Sequence, residues 1–246
     1  GAVSASMVTS LGCQYVLCGH SERRTVFKDD DEAINKKVLK IIEGGMIPVL
    51  CIGETKEEFD ANLCESVCAI QLAKDLAGVS AADVKTMIIA YEPVWAIGTG
   101  VAATPEQAQE THKGIRDWIA KNVDQTTADE IRIQYGGSAS AKNAPELSAC
   151  PDVDGFLVGG ASLKPEFAEI VSAIAKAKEV GVKADHADVK AAEALLVQLK
   201  EESKQAEHFM RSSLLPSGLL PRAKAKAKTD GRGAGGGAGG VDANMP

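Results

Sequence analysis

The sequence contains no hydrophobic run of about 18 residues, the shortest run expected of a membrane-spanning helix, so we predict no membrane span. It also lacks an excess of positive charge. The formal net charge is −7, which argues against a nucleic-acid-binding protein with a basic face. The first residues do not combine a basic segment with an apolar core, so we predict no secretory signal peptide in the given chain. Because the first residue is Gly1 and not methionine, we expect either a processed leader or a fragment.

The cysteines are too scattered to indicate a metal site. Six are present, at positions 13, 18, 51, 64, 68 and 150. No two form a CxxC pair, and no histidine lies at metal-ligand spacing from them, so we expect no zinc. We interpret them as reduced and mostly buried thiols in a reducing compartment, not as a disulfide framework.

Five short apolar runs, rich in Val, Ile, Leu and Tyr, indicate buried parallel strands. Each run is followed by polar or glycine-rich residues and then by a helical pattern. The runs cover residues 14–19, 46–53, 86–92, 131–137 and 154–160. Strand and helix repeated in this order predict an α/β fold with right-handed crossovers.

The helices between these runs have clear start signals. Thr55 with Glu58, and Thr104 with Gln107, form capping boxes. The first box predicts one helix that ends near Gly78, where glycine suits a helix C-terminus. Its predicted buried face carries Phe59, Leu63, Val67 and Ile70.

The polar residues that follow the strands favour a barrel over an open doubly wound sheet. In a barrel all the C-terminal ends of the strands converge on one face, whereas in an open sheet they spread along a line. Five candidate site residues fall at such ends, namely His20, Glu92, Ser138, Gly159 and Gly160.

The stretch AYEPVWAIGTG places Glu92 between an apolar run and a loop. Apolar neighbours leave a carboxylate poorly solvated, which raises its pKa and strengthens it as a base. Pro93 stiffens the start of the loop, and Gly98 and Gly100 allow its backbone to swing. These residues predict a base on a hinged lid. An ordinary loop glutamate paired with a neighbour is the alternative.

His20 lies at a strand end in CGHSERR, beside a predicted helix start. The positive end of a helix dipole disfavours an imidazolium there, and a neutral imidazole can donate one hydrogen bond to a substrate oxygen. A capping or buried structural histidine is the alternative. The glycine pairs at 136–137 and 159–160 end the last two runs and offer main-chain N–H groups for an anion.

In this order and spacing, CGHSERR, AYEPVWAIGTG, YGGS and DGFLVGGASL resemble the triosephosphate isomerase family. The resemblance covers residues 1 to about 180 and implies a TIM (β/α)8 barrel. It implies the interconversion of dihydroxyacetone phosphate and glyceraldehyde 3-phosphate through an enediol, in glycolysis, gluconeogenesis and carbon fixation. It also implies triose phosphates as ligands, a homodimer and no metal or organic cofactor. The expected compartment is the cytoplasm, or the plastid stroma in a photosynthetic organism.

The resemblance further implies a role for each site residue. Glu92 moves the proton between two carbons, and His20 polarises the carbonyl and transfers protons among the enediol oxygens. Ser21 holds Glu92 in the open state, and Tyr135 braces the closed lid at the N–H of Ala103. Phosphate binding falls to the backbone N–H groups of Gly98, Ser138, Gly159 and Gly160.

Two further residues complete the implied site. Glu22, next to Ser21, is a supporting residue. Cys51 matches a family cysteine close to the base, and we expect it to contribute packing and not chemistry.

The chain departs from the family in the number of strand–helix units. We expect about five of the eight units, numbered 4 to 8 in the family, so about 90 residues of a barrel are absent. The family's catalytic lysine and neighbouring asparagine belong to the first strand, and its main dimer loop belongs to the third unit. None of these has a counterpart here. We therefore expect the 246 residues alone to be weakly active or inactive.

The sequence predicts three regions with different character. Residues 1–184 form the partial isomerase barrel, residues 185–212 form an extra amphipathic helix, and residues 213–246 form a disordered low-complexity tail. Three other functions stay open. They are non-catalytic binding of phosphorylated metabolites, an interaction protein whose tail recruits a partner, and another phosphate-handling barrel such as an indole-glycerol-phosphate enzyme.

Overall fold

A computed structural model of the protein describes residues 3–97, 99 and 101–181. Within this part of the chain, strands and helices alternate as the sequence predicts. The five strands are β1 Tyr15–Cys18, β2 Ile47–Ile52, β3 Ile88–Tyr91, β4 Arg132–Tyr135 and β5 Gly155–Phe156. Each of them lies inside one of the five predicted apolar runs.

The helices are α1 Ala5–Ser10, α2 Ser21–Thr25, α3 Asp31–Glu43, α4 Lys56–Asp60, α5 Cys64–Asp75, α6 Ala81–Thr86, α7 Pro105–Asn122, α8 Gln125–Glu130, α9 Ala144–Ser148 and α10 Glu166–Gly181. Two 3-10 helices, Val94–Ala96 and Gly160–Leu163, follow β3 and β5. None of the described helices is both long and apolar enough to cross a membrane.

The strands form one parallel sheet in the order β1-β2-β3-β4-β5, so each strand pairs with the next one in sequence. Parallel pairing of consecutive strands requires a crossover after each strand, and the helices supply it. The carboxyl ends of all the described strands therefore lie along the same edge of the sheet.

The two faces of the sheet are covered differently. Alternate residues of β2, β3 and β4 point to the helices, where Leu50, Ile89 and Ile133 are fully buried. The opposite face holds a smaller cluster of Val49, Cys51, Ile88 and Ala90, packed against Leu157. A strand that is buried on both faces needs an uninterrupted apolar sequence, which β2 and β3 have.

At β1 the second face is exposed. Tyr15 and Leu17 alternate with the two residues that face the helices, and they are 45% and 50% exposed. The apolar interior of the sheet therefore reaches solvent along its first strand.

The predicted helix after Thr55 is in fact two helices. The capping box of Thr55 and Glu58 is present, but α4 ends at Asp60. Asn62 then has a φ of 56°, a left-handed conformation that asparagine tolerates better than most residues, and it turns the chain before α5.

The prediction of which residues of this segment are buried is wrong for the same reason. Leu63 and Ile70 are 44% and 52% exposed, because the turn at Asn62 changes the phase of the second helix. The residues of α5 that are buried are Cys68, Leu72 and Asp75.

The second predicted capping box is confirmed at the start of α7. Thr104 accepts from the backbone N–H of Gln107, whose side chain accepts from the backbone N–H of Thr104. The predicted extra helix at 185–212 and the predicted disordered tail at 213–246 lie outside the described residues. Both stay predictions.

Candidate active site

Glu92 is the first residue after β3, and only 2% of its surface is exposed. Its backbone N–H donates to the carbonyl of Ile52 at 2.7 Å, which continues the ladder between β2 and β3. The carbonyl of Glu92 also passes close to Gly53. A Cβ at position 53 would lie 1.8 Å from that oxygen, so only glycine fits there. The backbone of Glu92 is thus fixed by the neighbouring strand.

Both carboxylate oxygens of Glu92 are bound by residues at the start of α2. Oε1 lies 2.9 Å from Nε2 of His20, and Oε2 accepts from the backbone N–H of Ser21 at 2.8 Å. Burial raises the pKa of the Glu92 carboxyl above its ordinary range, and the contacts with His20 and Ser21 act in the opposite direction. The balance leaves a carboxylate that is a stronger base than a solvated one.

His20 is the N-cap of α2, and its ring is oriented by the helix start. Nδ1 accepts from the backbone N–H of Glu22 at 3.3 Å. Since Nδ1 accepts, a neutral ring carries its proton on Nε2, where it donates to Glu92. The side chain of His20 is 33% exposed, so part of the ring is accessible from outside. The side chain of Glu22 is exposed, and its backbone is what contacts the site.

The segment after Glu92 begins as a 3-10 helix, Val94–Ala96, and is held at its far side by Tyr135. The hydroxyl oxygen of Tyr135 accepts from the backbone N–H of Ala103 at 3.2 Å. Tyr135 is fully buried, and its hydroxyl occupies the space that a side chain at Gly137 would need. The structure therefore contains the Tyr135–Ala103 contact that the resemblance implies.

A buried carboxylate that the sequence reasoning missed anchors the start of this segment. Glu54 is completely buried, and its Oε1 accepts from the hydroxyl of Tyr91 at 2.9 Å and from Nε1 of Trp95 at 2.7 Å. Burial raises the pKa of Glu54, and the hydrogen bonds from Trp95 and Tyr91 oppose this rise. The signal was available, because Glu54 follows β2 closely, much as Glu92 follows β3.

The predicted phosphate-binding residues are less enclosed. The hydroxyl of Ser138 donates to the carbonyl of Ala96 at 3.1 Å, which connects it to the segment after Glu92. Gly159 and Gly160 are exposed, and a Cβ at either position would meet nothing within 4 Å. Gly160 begins the 3-10 helix Gly160–Leu163. Gly98 lies outside the described residues.

One of the predicted N–H donors for an anion is already used. The N–H of Gly136 donates to the carbonyl of Tyr91 at 2.7 Å and so extends the pairing of β3 with β4. The glycine pair at 136–137 therefore offers one main-chain donor fewer than the sequence predicts. Among the described residues, no group of three or more His, Cys, Asp or Glu side chains is arranged to hold a metal ion.

Comparison with known proteins identifies the family. A family profile described as "Triosephosphate isomerase" matches residues 1–174. The chain belongs to the triosephosphate isomerase family. Triosephosphate isomerases from Escherichia coli strain SMS-3-5 and from Shigella boydii serotype 18 are each 56% identical over 180 residues, which cover 73% of this chain and 70% of the relative. The five-stranded parallel sheet with its helices is consistent with part of the TIM barrel of this family.

Proposed function

We propose that this protein catalyses the interconversion of dihydroxyacetone phosphate and glyceraldehyde 3-phosphate. Its family supports an aldose–ketose isomerase. The observation that carries the proposal is the buried carboxylate of Glu92, which is bound at 2.9 Å by an imidazole and at 2.8 Å by a main-chain N–H. A base, a hydrogen-bond donor and a segment that can cover them are the parts that proton transfer next to a carbonyl requires.

Glu92 acts as the base in this proposal. Its carboxylate removes a proton from C1 of dihydroxyacetone phosphate, the electron pair moves to the carbonyl oxygen, and the protonated carboxyl returns the proton to C2. In the arrangement described above, both oxygens of Glu92 are occupied by His20 and Ser21. This is a resting state, and the side chain leaves both partners when it reaches the substrate carbon.

His20 acts on the substrate oxygens. When Glu92 departs, the Nε2 proton of His20 is free to donate to the carbonyl and then to move between the two enediol oxygens. Because Nδ1 is held by the N–H of Glu22 at 3.3 Å, the ring keeps its orientation during this exchange. Removing one donor to a developing oxyanion costs about 10²–10³-fold in rate.

Phosphate binding is assigned to main-chain N–H groups of Gly98, Ser138, Gly159 and Gly160. The exposure of Gly159 and Gly160 and the open space around them support this assignment. The Ser138 hydroxyl, 3.1 Å from the carbonyl of Ala96, would link the phosphate side of the site to the covering segment. The proposal requires no metal and no organic cofactor.

The 246 residues on their own are proposed to be weakly active. The resemblance places the family's lysine on the first strand, and the matched part corresponds to 70% of the relatives' length. Without that lysine, the phosphate and the enediolate lose a positive charge, which costs about 10²–10³-fold by analogy with other electrostatic groups. The exposure of Tyr15 and Leu17 on β1 also supports an incomplete barrel.

An isomerase assay with two polypeptides tests these proposals separately. One is residues 1–246, and the other is a chimera in which Gly1 is preceded by the part of the Escherichia coli relative that the resemblance places before the matched region. We expect turnover of glyceraldehyde 3-phosphate to be slow in the first and restored in the second, and Glu92→Gln to abolish it in the chimera. Turnover by residues 1–246 that is as fast as that of an active chimera would refute the weak activity of residues 1–246. Full activity of the Glu92→Gln chimera would refute the assignment of the base.

Binding of phosphorylated metabolites without turnover is the second candidate function. It is favoured by the open surroundings of Gly159 and Gly160, which would accept a phosphate whether or not the lysine is present. Calorimetry of residues 1–246 with dihydroxyacetone phosphate distinguishes the two. Saturable binding by a polypeptide that shows no isomerisation favours the second candidate.

Self-association and compartment are further parts of the proposal. Exposed apolar side chains at Met7, Val26 and Phe27 support contact between two copies of the chain, which light scattering tests. All six cysteines are free thiols, which supports a reducing compartment such as the cytoplasm or the plastid stroma. Fluorescence microscopy of a tagged chain distinguishes these compartments.

A further inference from the structure

Arg24 binds main-chain carbonyls at the ends of two neighbouring strands. Its Nε donates to the carbonyl of Gly19 at 2.8 Å, and its Nη2 donates to the carbonyl of Cys51 at 3.2 Å. Its other contacts are with carboxylates: Nη1 donates to Asp31 at 2.7 Å and Nη2 to Asp75 at 2.8 Å. The side chain is only 17% exposed, so these contacts are shielded from water.

These two carbonyls lie just beyond the point where the strands stop pairing. The ladder between β1 and β2 ends with Cys18 opposite Leu50. The next two residues are Gly19 and Cys51. Gly19 turns away with a φ of 75°, and a Cβ there would lie 2.7 Å from the Cys51 carbonyl. The planar guanidinium therefore connects the residues that follow the paired parts of β1 and β2, where the sheet no longer links them.

The turn that Arg24 holds leads directly into the residues that bind Glu92. Gly19 precedes His20, and α2 begins at Ser21 and carries Arg24 one turn later. Both partners of the Glu92 carboxylate therefore lie on the short segment between the Gly19 carbonyl and Arg24. If α2 shifted against β2, both of those hydrogen bonds would lengthen together.

The charge on Arg24 is balanced by the carboxylates of Asp31 and Asp75. Asp75 is completely buried, and burial raises its pKa to about 7, although the Arg24 guanidinium opposes this rise. The groups that face Glu92 are His20 and, with a weaker influence, Arg24 from α2, together with the Cys51 thiol from β2. Arg24 thus connects the buried acid at the end of α5 with the surroundings of the proposed base.

We propose that Arg24 is a positioning residue for the His20–Glu92 pair: its guanidinium fixes the start of α2 on the ends of β1 and β2. This inference rests on the proposed function of that pair. Arg24 does not touch the reacting atoms. It determines how well His20 Nε2 and the Ser21 N–H meet the carboxylate.

The test compares two arginine-to-lysine variants of the 246-residue chain by NMR. Arg24→Lys keeps the charge, but an ammonium cannot reproduce the planar fork that contacts both carbonyls and both carboxylates. The matched control is Arg116→Lys. Arg116 is 16% exposed and binds the Asp152 and Asp154 carboxylates and the Ala128 and Ile131 carbonyls, all remote in sequence from α2.

The first readout is the proton on the His20 ring, observed through ¹⁵N labelling. In Arg24→Lys we expect this proton to exchange with water about tenfold faster or more, because its hydrogen bond to Glu92 is loosened. The second readout is the carboxyl ¹³C titration of Glu92, whose midpoint should rise because the carboxylate loses donors. Thermal unfolding should show similar losses of stability in both variants, with the two NMR signals unchanged in Arg116→Lys.

The outcomes separate this inference from the proposed function. Unchanged His20 and Glu92 signals in a folded Arg24→Lys chain would overturn the positioning role alone. If the unaltered chain shows no hydrogen-bonded proton on His20, both the pair and the positioning role are refuted. Equal changes in Arg24→Lys and Arg116→Lys would also overturn the inference, because the effect would then be general destabilisation.

A measurement on the unaltered chain keeps the inference testable if Arg24→Lys does not fold. Arg23 lies on the same helix, is 45% exposed and binds one carboxylate, that of Asp29. We expect the guanidinium protons of Arg24 to exchange slowly and its Cζ–Nη bonds to rotate slowly, whereas those of Arg23 should do both rapidly. Rapid exchange and rotation in Arg24, equal to those in Arg23, would show that the guanidinium does not fix the turn.

Discussion

The two halves of the candidate site are built in different ways. The acid–base half, His20, Ser21 and Glu92, consists of direct contacts between strand ends and the start of one helix, and its carboxylate is almost completely buried. The proposed phosphate half is exposed at Gly159 and Gly160, and its Ser138 hydroxyl donates to the carbonyl of Ala96 in the segment after Glu92.

The contrast indicates which part of the proposed chemistry is fixed in advance by the fold. A proton moves efficiently only between atoms whose separation is controlled, so its donors and acceptors belong on rigid strand ends. A phosphate is a large anion that several N–H groups can share, so its site tolerates loops that adjust. Substitutions in the first half should therefore have large effects, and those in the second half small ones.

The largest effect is expected from His20→Gln. The amide cannot carry a proton between the two enediol oxygens, so kcat of the chimera should fall about 10²–10³-fold. KM should change little, because His20 lies on the acid–base side of the site. Steady-state kinetics measures both, and a normal kcat would show that the two halves do not differ as proposed.

Gly53→Ala should destabilise the acid–base half by displacing the backbone of Glu92. The new Cβ would lie 1.8 Å from the carbonyl oxygen of Glu92, so β2 and the residue after β3 must separate. We expect a loss of about 3 kcal/mol in the free energy of unfolding, the upper end of the usual cost of overpacking. Urea denaturation followed by circular dichroism measures it. An unchanged unfolding midpoint would contradict the close approach.

Tyr135→Phe tests the contact that holds the far side of the segment after Glu92. The substitution removes the acceptor of the Ala103 N–H, whose distance is 3.2 Å, and keeps the buried ring. One hydrogen bond contributes about 1 kcal/mol, so kcat/KM should fall about fivefold if the bond stabilises the catalytic conformation. Tyr15→Phe is the control, since Tyr15 is 45% exposed on β1. Equal activity of both variants would remove Tyr135 from the proposed site.

His112 should make the region behind Tyr135 sensitive to acid. The imidazole is buried between Tyr91 and Tyr135, its Nδ1 lies 2.7 Å from the Ala108 carbonyl, and burial lowers its pKa from 6.5 to about 4. Between these pH values the unfolded imidazole binds a proton and the folded one does not. Stability should therefore fall as pH is lowered from 6.5 to 4. His112→Asn should flatten this dependence, as thermal unfolding across the range would show.

The smallest effect is expected from Gly160→Ala. A Cβ at this position meets nothing within 4 Å, and alanine keeps the N–H that is proposed to bind phosphate. Stability should change by less than about 0.5 kcal/mol, and KM should stay within a factor of about two. A large increase in KM would show that the phosphate half is as tightly constrained as the acid–base half.

Local signals in the sequence predicted much of the fold. Apolar runs located the strands, and the capping boxes at Thr55 and Thr104 located two helix starts, because these patterns depend on neighbours in sequence. The break at Asn62 was missed, because a left-handed residue has no periodic signature. Its consequence for Leu63 and Ile70, which are exposed, was missed with it.

The candidate site was predicted to a similar extent. The family motifs pointed to His20 and Glu92, whose side chains lie 2.9 Å apart. They predicted neither that both carboxylate oxygens of Glu92 are hydrogen-bonded nor that Glu54 is buried. Those depend on which strands become neighbours. The use of the Gly136 N–H in the sheet was likewise invisible, because a glycine pair looks the same whether its amides face a ligand or a strand.

The shared oxygen of Glu54 has a mechanical consequence. One of its two donors, Tyr91, belongs to a strand, and the other, Trp95, belongs to the segment that follows the base. Because buried Glu54 binds both donors, we expect the segment after Glu92 to rotate about the Trp95 indole when it moves. Displacement should then be least at Trp95 and grow toward Thr99 and Val101.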